Sequence, residues 1–132
     1  MKTQHARPKI LIIDDERDLR ELMKDVLADE GFQVLCAANG ADGVLLNAQE
    51  DPDVIVLDLR MPGMDGITTL RHIRTCDDRV LVVILTGFAS PDTIRDAAEL
   101  NVSEYLSKPF ANNDLVSVIT NAWESSLAEQ QQ

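Results

Sequence analysis

Positive charge is scarce in this chain. Over 132 residues, 12 Lys and Arg stand against 23 Asp and Glu, a formal net charge of −11 at pH 7. So acidic a surface argues against direct nucleic-acid binding, because phosphate contacts need clustered Lys and Arg. Long apolar runs are missing as well. The longest uncharged one, Val80 to Leu85, is far too short to cross a bilayer, so no membrane span is expected. The basic opening, Met1 to Lys9, has no apolar core of the kind a signal peptide carries. Only 2 cysteines occur: Cys36 at the end of an expected strand and Cys76 in a polar loop, without CxxC or Cys/His spacing for zinc. Two free thiols in a cytoplasmic chain are expected. His5 and His72 stand alone among basic residues and read as solvated, which leaves zinc and histidine-based catalysis without support.

What is present is the composition of one globular domain, 45% hydrophobic and 27% charged. A chain of this length should bury roughly 68% of its unfolded surface. Three stretches are almost purely apolar and β-branched: Ile10 to Ile13, Val54 to Leu57 and Val80 to Leu85. Such runs read as strands buried on both faces of a parallel sheet. Gln33 to Ala37 and Glu104 to Leu106 are weaker strands. Leu19, Leu22, Met23, Val26 and Leu27 form one helical stripe, which Gly31 helps to end. Ala41, Val44, Leu45 and Ala48 repeat the pattern until Asp51-Pro52 stops it, and Ile67, Leu70 and Ile73 suggest a short third helix. Ser90-Pro91-Asp92 reads as a helix start, and a last helix begins near Asn112 with Leu115, Val118, Ile119 and Ala122 on one face. The order is β-α five times over, an α/β fold with a parallel sheet and helices on both faces. The domain is expected over residues 8–125, with flexible ends at 1–7 and 126–132.

In open sheets of this kind, sites lie beyond the carboxyl ends of the strands, at a topological switch point. Asp14, Asp15 and Glu16 follow the first strand, Asp58 the third, Thr86 and Gly87 the fourth, and Ser107, Lys108 and Pro109 the fifth. Each has an ordinary reading on its own. Asp14 or Asp15 caps the first helix; Asp58 starts a turn with Met61-Pro62-Gly63; Thr86 caps a local turn; Lys108 is a surface lysine. The joint pattern carries more. Carboxylates gathered at one sheet edge repel, and a divalent cation with an ammonium group would relieve the cost. Oxygen ligands with open positions suit magnesium. A carboxylate so placed can attack phosphorus and form an acyl phosphate, with charge shared among the cation, Lys108, the Thr86 hydroxyl and nearby amides. Gly87 leaves room for the phosphoryl group.

The chain resembles the receiver domain of two-component response regulators, chemotaxis regulators among them. The resemblance rests on Ile12-Ile13-Asp14-Asp15-Glu16, on Leu57-Asp58-Leu59-Arg60-Met61-Pro62-Gly63-Met64-Asp65-Gly66, on Leu85-Thr86-Gly87 and on Tyr105-Leu106-Ser107-Lys108-Pro109-Phe110. It implies a flavodoxin-like, doubly wound fold with strand order 2-1-3-4-5. It makes Asp58 the acceptor of a phosphoryl group from a phosphohistidine of a sensor histidine kinase or phosphotransfer protein. Mg2+ would be held directly by Asp15 and Asp58, by Asp14 mostly through water, and by the main-chain carbonyl of Arg60. Thr86 and Lys108 would contact the phosphoryl oxygens, and the Lys108-Pro109 peptide is expected to be cis. Thr86 and Tyr105 form the switch that alters the helix 4/strand 5/helix 5 face, although a Tyr between apolar neighbours also reads as plain core.

Several residues depart from the family pattern. Arg60 is a long cation beside the site, where it either tunes hydrolysis of the phosphoryl group or is simply solvated. Phe88 is placed to line the mouth of the site. Asn101 stands where Gly is frequent, and Asn tolerates the left-handed turn. The charges that mark receivers dimerising through helix 4 and helix 5 are missing, so a monomer or weak dimer is expected. A magnesium-dependent phosphatase of the haloacid-dehalogenase type wants an aspartate at position 60 and is set aside. A phosphorylation-independent interaction module is the remaining alternative. No helix-turn-helix, ATPase or cyclase segment follows residue 125, so a stand-alone receiver and a piece of a longer regulator both stay open.

Overall fold

The computed structural model describes residues 7–87 and 90–130. The expectations for His5, for Phe88 and for the outermost residues of both ends lie outside these. Ten elements alternate: β1 (Lys9–Ile13), α1 (Arg17–Asp29), β2 (Gln33–Ala37), α2 (Gly40–Glu50), β3 (Val54–Asp58), α3 (Gly66–Cys76), β4 (Leu81–Thr86), α4 (Pro91–Glu99), β5 (Glu104–Ser107) and α5 (Asn112–Gln130). All strand pairs are parallel, and the sheet order is β2-β1-β3-β4-β5, the doubly wound order expected. Helix α5 continues past 125 to Gln130. No helix among the described residues is long and apolar enough to cross a membrane.

Strand alternation sorts the core into two layers. Ile10, Ile12, Val54, Val56, Val83 and Leu85 face α1 and α5, where Met23, Leu27, Leu115, Ile119 and Ala122 meet them. Leu11, Ile13, Ile55, Leu57, Val82 and Ile84 face the other side, with Leu70 and Ile73 of α3. Burial on both faces explains why these strands carry no polar alternation.

The helix ends follow local chemistry. Gly31 has φ +91°, and the Gly31 and Phe32 N–H groups bond the carbonyls of Ala28 and Leu27, closing α1 in a Schellman motif. Ser90 accepts the Thr93 N–H at the start of α4, with Pro91 in the first turn. Asn101 takes φ +61°, the left-handed turn expected of it. Cys36 and Cys76 are free, and Cys76 ends α3 rather than lying in a loop. His72 is exposed.

Helix α2 corrects the sequence reading. Ala41, Leu45 and Ala48 point outward, Leu45 being 55% exposed, while Gly40, Gly43 and Asn47 are buried. A Cβ on Gly43 would collide with the Ile13 side chain, and one on Gly40 with Thr69 Oγ1. At Gly40 and Gly43 the helix lies too close to α3 and β1 to carry a side chain.

Candidate functional site

The sheet register assembles the site. Ile13 pairs with Leu57, Asp58 with Leu85, and Thr86 with Ser107, so the residues just beyond these pairs converge on one edge. Backbone bonds extend the ladder past the strands: Asp14 N–H to the Ala37 carbonyl at 3.2 Å, Leu59 N–H to Leu85 at 3.2 Å, and Lys108 N–H to Thr86 at 2.8 Å. β1 and β3 are the neighbouring strands whose connections leave in opposite directions, which is the switch point expected.

Carboxylate oxygens of Asp14, Asp15 and Asp58 all lie within 4.8 Å of one another. Asp14 and Asp58 are buried, whereas Asp15 is exposed. Lys108 Nζ stands 3.3 Å from Asp58 Oδ2 and 3.6 Å from Asp14 Oδ2. Lys108 is therefore not an ordinary surface lysine. Asp58 Oδ1 accepts the Arg60 N–H at 3.0 Å, so Asp58 starts a turn as well as facing the cluster. Asp14 Oδ1 accepts the Glu16 N–H at 2.8 Å. Neither Asp14 nor Asp15 caps α1; Glu16 is its N-cap, without a side-chain bond.

Burial raises the Asp14 carboxyl above its usual value. The Glu16 N–H and Lys108 oppose the rise, while the charges of Asp58 and Asp15 add to it. Asp14 Oδ2 is buried and accepts no hydrogen bond. An orphaned carboxylate oxygen within an all-oxygen, three-carboxylate cluster fits a hard divalent cation, and Mg2+ in particular is held by a few carboxylates while keeping waters.

Thr86 ends β4 half-buried, and Gly87 beside it is exposed. Among the described residues, a Cβ on Gly87 would meet Lys108 Cβ, at 3.9 Å, an ordinary contact distance. The Arg60 side chain is exposed. The Lys108-Pro109 peptide is cis, as expected. Tyr105 is 39% exposed, so the reading of it as plain core is corrected; it lies on β5, an edge strand of the sheet.

Residues without an apparent role in the sequence also shape the site. Gly66 N–H donates to the Leu59 carbonyl at 3.1 Å, docking the start of α3 onto the end of β3. Asp65 caps α3 by accepting the Thr68 N–H. Arg20 of α1 donates to the Asp14 carbonyl at 2.8 Å. Asp65 and Gly66 close the stretch that begins at Leu57, but their residue types do not reveal these contacts, and nothing in the sequence marked Arg20.

Residues 10–120 match the model of the response regulator receiver domain. The chain belongs to this family. It is 38% identical to sporulation initiation phosphotransferase F of Bacillus subtilis, over 77% of this chain and 82% of that protein. It is 36% identical to the regulatory protein AtoC of Escherichia coli over 86% of this chain, but spans only 25% of that longer protein. Among solved structures, chemotaxis protein CheY4 of Vibrio cholerae superposes with a TM-score of 0.84 at 26% identity, covering 89% of this chain and 99% of CheY4. The protein is thus a receiver domain of two-component signalling, a family whose standard function is phosphorylation-dependent signalling. Receiver domains bind Mg2+ at an acidic pocket and interact with histidine kinases and output domains.

Proposed function

We propose that Asp58 is the phosphoacceptor. A carboxylate oxygen of Asp58 attacks the phosphorus of a phosphohistidine on a sensor kinase or phosphotransfer protein; the P–N bond breaks, the imidazole leaves, and an acyl phosphate remains. The observation that carries this reading is the placement of Asp58 Oδ2 3.3 Å from Lys108 Nζ within the three-carboxylate cluster. The Lys108 ammonium is positioned to take one phosphoryl oxygen, and the Thr86 hydroxyl with the backbone at Gly87 to take another. Asp14, Asp15, Asp58 and the main-chain carbonyl of Arg60 would hold Mg2+, which when bound neutralises charge on the transferring phosphoryl group. Thr86 and Tyr105 then bias the packing of α4, β5 and α5, where Ile94 and Tyr105 are exposed for a downstream protein or an output domain. Its chemistry is confined to self-catalysed uptake and loss of its own phosphoryl group, and it works in the cytoplasm as a monomer or weak dimer. The domain proper is read as residues 8–125, with α5 running on to Gln130.

Intact-protein mass after incubation with acetyl phosphate tests the acceptor. One phosphoryl adduct is expected with Mg2+, none without it, and none in Asp58→Ala. If no adduct forms and beryllofluoride moves no resonance at Thr86 or Tyr105, the phosphorylation reading falls and the phosphorylation-independent module takes its place.

A further inference from the structure

Asp14 is held at three of its four polar groups. Its N–H donates to the Ala37 carbonyl at 3.2 Å, its Oδ1 accepts the Glu16 N–H at 2.8 Å, and its carbonyl accepts from Arg20 Nη1 at 2.8 Å. Oδ2 alone accepts no hydrogen bond and faces Lys108. The first two bonds belong to the sheet ladder and to the local turn. The third is a side chain from the first turns of α1, half-buried, reaching back to the end of β1.

The acceptor Arg20 uses is informative. Bonding of a guanidinium to a carboxylate would consume a ligand oxygen of the cluster. Bonding to the Asp14 carbonyl instead fixes the peptide joining Asp14 to Asp15 and leaves the carboxylate oxygens of both free of that bond. Fixing this peptide sets the directions in which two neighbouring side chains leave the main chain. Asp15 is exposed, so no surrounding core directs its carboxylate.

We propose that Arg20 is a positioning residue for the divalent-cation site, locking the Asp14–Asp15 peptide so that both carboxylates face Asp58. The inference rests on the reading of these aspartates as cation ligands. Removing Arg20 has two effects of opposite sign. Loss of a positive charge near an acidic site tightens Mg2+ binding; loss of the positioning bond weakens it. Groups that orient metal ligands are worth about 10–100-fold in metal affinity, so positioning should win.

The test is calorimetric titration of the full chain with Mg2+, comparing wild type with Arg20→Gln, Arg20→Lys and Arg17→Gln. Arg17 lies on the same helix, exposed and paired with Glu21 at 3.3 Å, and its replacement removes the same charge without a bond to Asp14. The expected result is affinity about tenfold weaker in Arg20→Gln, partly restored in Arg20→Lys, and no weaker than wild type in Arg17→Gln. Equal or tighter binding in Arg20→Gln overturns the proposal. A second readout needs no variant: in the wild type, Mg2+ saturation should shift the side-chain N–H resonances of Arg20 and not those of Arg17, and an unmoved Arg20 overturns the proposal even if Arg20→Gln fails to fold. A wild type that binds no Mg2+ overturns the ligand reading itself, an outcome distinct from a wild type that binds while Arg20→Gln matches it.

Discussion

Gly66 lies directly against the main chain of Asp58: a Cβ placed on it would stand 2.6 Å from the Asp58 carbonyl oxygen and 2.5 Å from Leu59 Cα. Both are backbone atoms of a buried strand end, which cannot swing aside as a flexible side chain would. Gly66→Ala should therefore destabilise the fold by about 1–3 kcal/mol, the usual cost of overpacking. One of the displaced atoms is the carbonyl oxygen of Asp58 itself, so phosphoryl uptake should slow as well. Urea denaturation reads the first effect, and the mass adduct at a fixed time reads the second. An alanine variant as stable as wild type would contradict the close approach.

Asp14 gives a pH dependence whose sign follows from burial. Its carboxyl is raised above 3.8, the value for an ordinary aspartate, because burial disfavours the charged form. Between the unfolded and folded values the native state binds more protons, so stability falls as pH rises through that window. Above it the buried carboxylate costs stability. In EDTA, Asp14→Asn should melt higher than wild type at pH 7, and the gap should close as pH falls toward the unfolded value. Mg2+ should raise the melting temperature of the wild type more than that of the variant. Thermal melts across pH decide it, and a variant less stable than wild type at pH 7 in EDTA would count against this account.

Arg74 fastens the end of α4 to α3. Its guanidinium donates to the carbonyls of Leu100 at 2.8 Å, Asn101 at 2.9 Å and Asp77 at 3.2 Å. Among the residues of α4 itself, only Ala97 is buried, so this helix has few other attachments. Arg74→Met should cost about 2 kcal/mol, in the range of charge-assisted bonds. Amide exchange at Leu100 and Asn101 should quicken more than at Leu11 or Ile55. Uniform exchange changes across the chain would instead mean a general loss of packing.

Much of this molecule was legible in its sequence, for a physical reason. β-branched runs without polar alternation can only be strands covered on both faces, and their order fixes which loops meet at the edge. Asp14, Asp15 and Asp58 were legible because they follow such runs; Lys108 follows the weaker strand Glu104–Ser107 and was legible through its place in the joint pattern. The failures share another cause. Gly40, Gly43 and Asn47 line the buried face of α2, and a pattern of apolar side chains cannot reveal a face made close by the lack of them. Gly66 and Arg20 act on main-chain atoms, which every residue possesses, so the sequence shows no partner for either. Tyr105 was ambiguous because the sequence does not show that β5 lies at the sheet edge, where a side chain between apolar neighbours can stay exposed.

The gathering of Asp14, Asp15 and Asp58 at one edge of a chain with net charge −11 has a kinetic consequence. With Mg2+ bound, the cation and the Lys108 ammonium offset these three carboxylates, and a small anionic donor meets the repulsive potential of the remaining negative charge of the chain. Screening shortens the reach of that potential, the Debye length being about 10 Å at 0.1 M. Uptake from acetyl phosphate should therefore accelerate as ionic strength rises, whereas encounter with a basic protein surface would slow. The rate against salt concentration, measured for each donor, separates the two. A rate that rises with salt for the free anion and falls for a protein donor would make the net charge of the chain an electrostatic filter, slowing uptake from free anions relative to a carrier with a complementary surface.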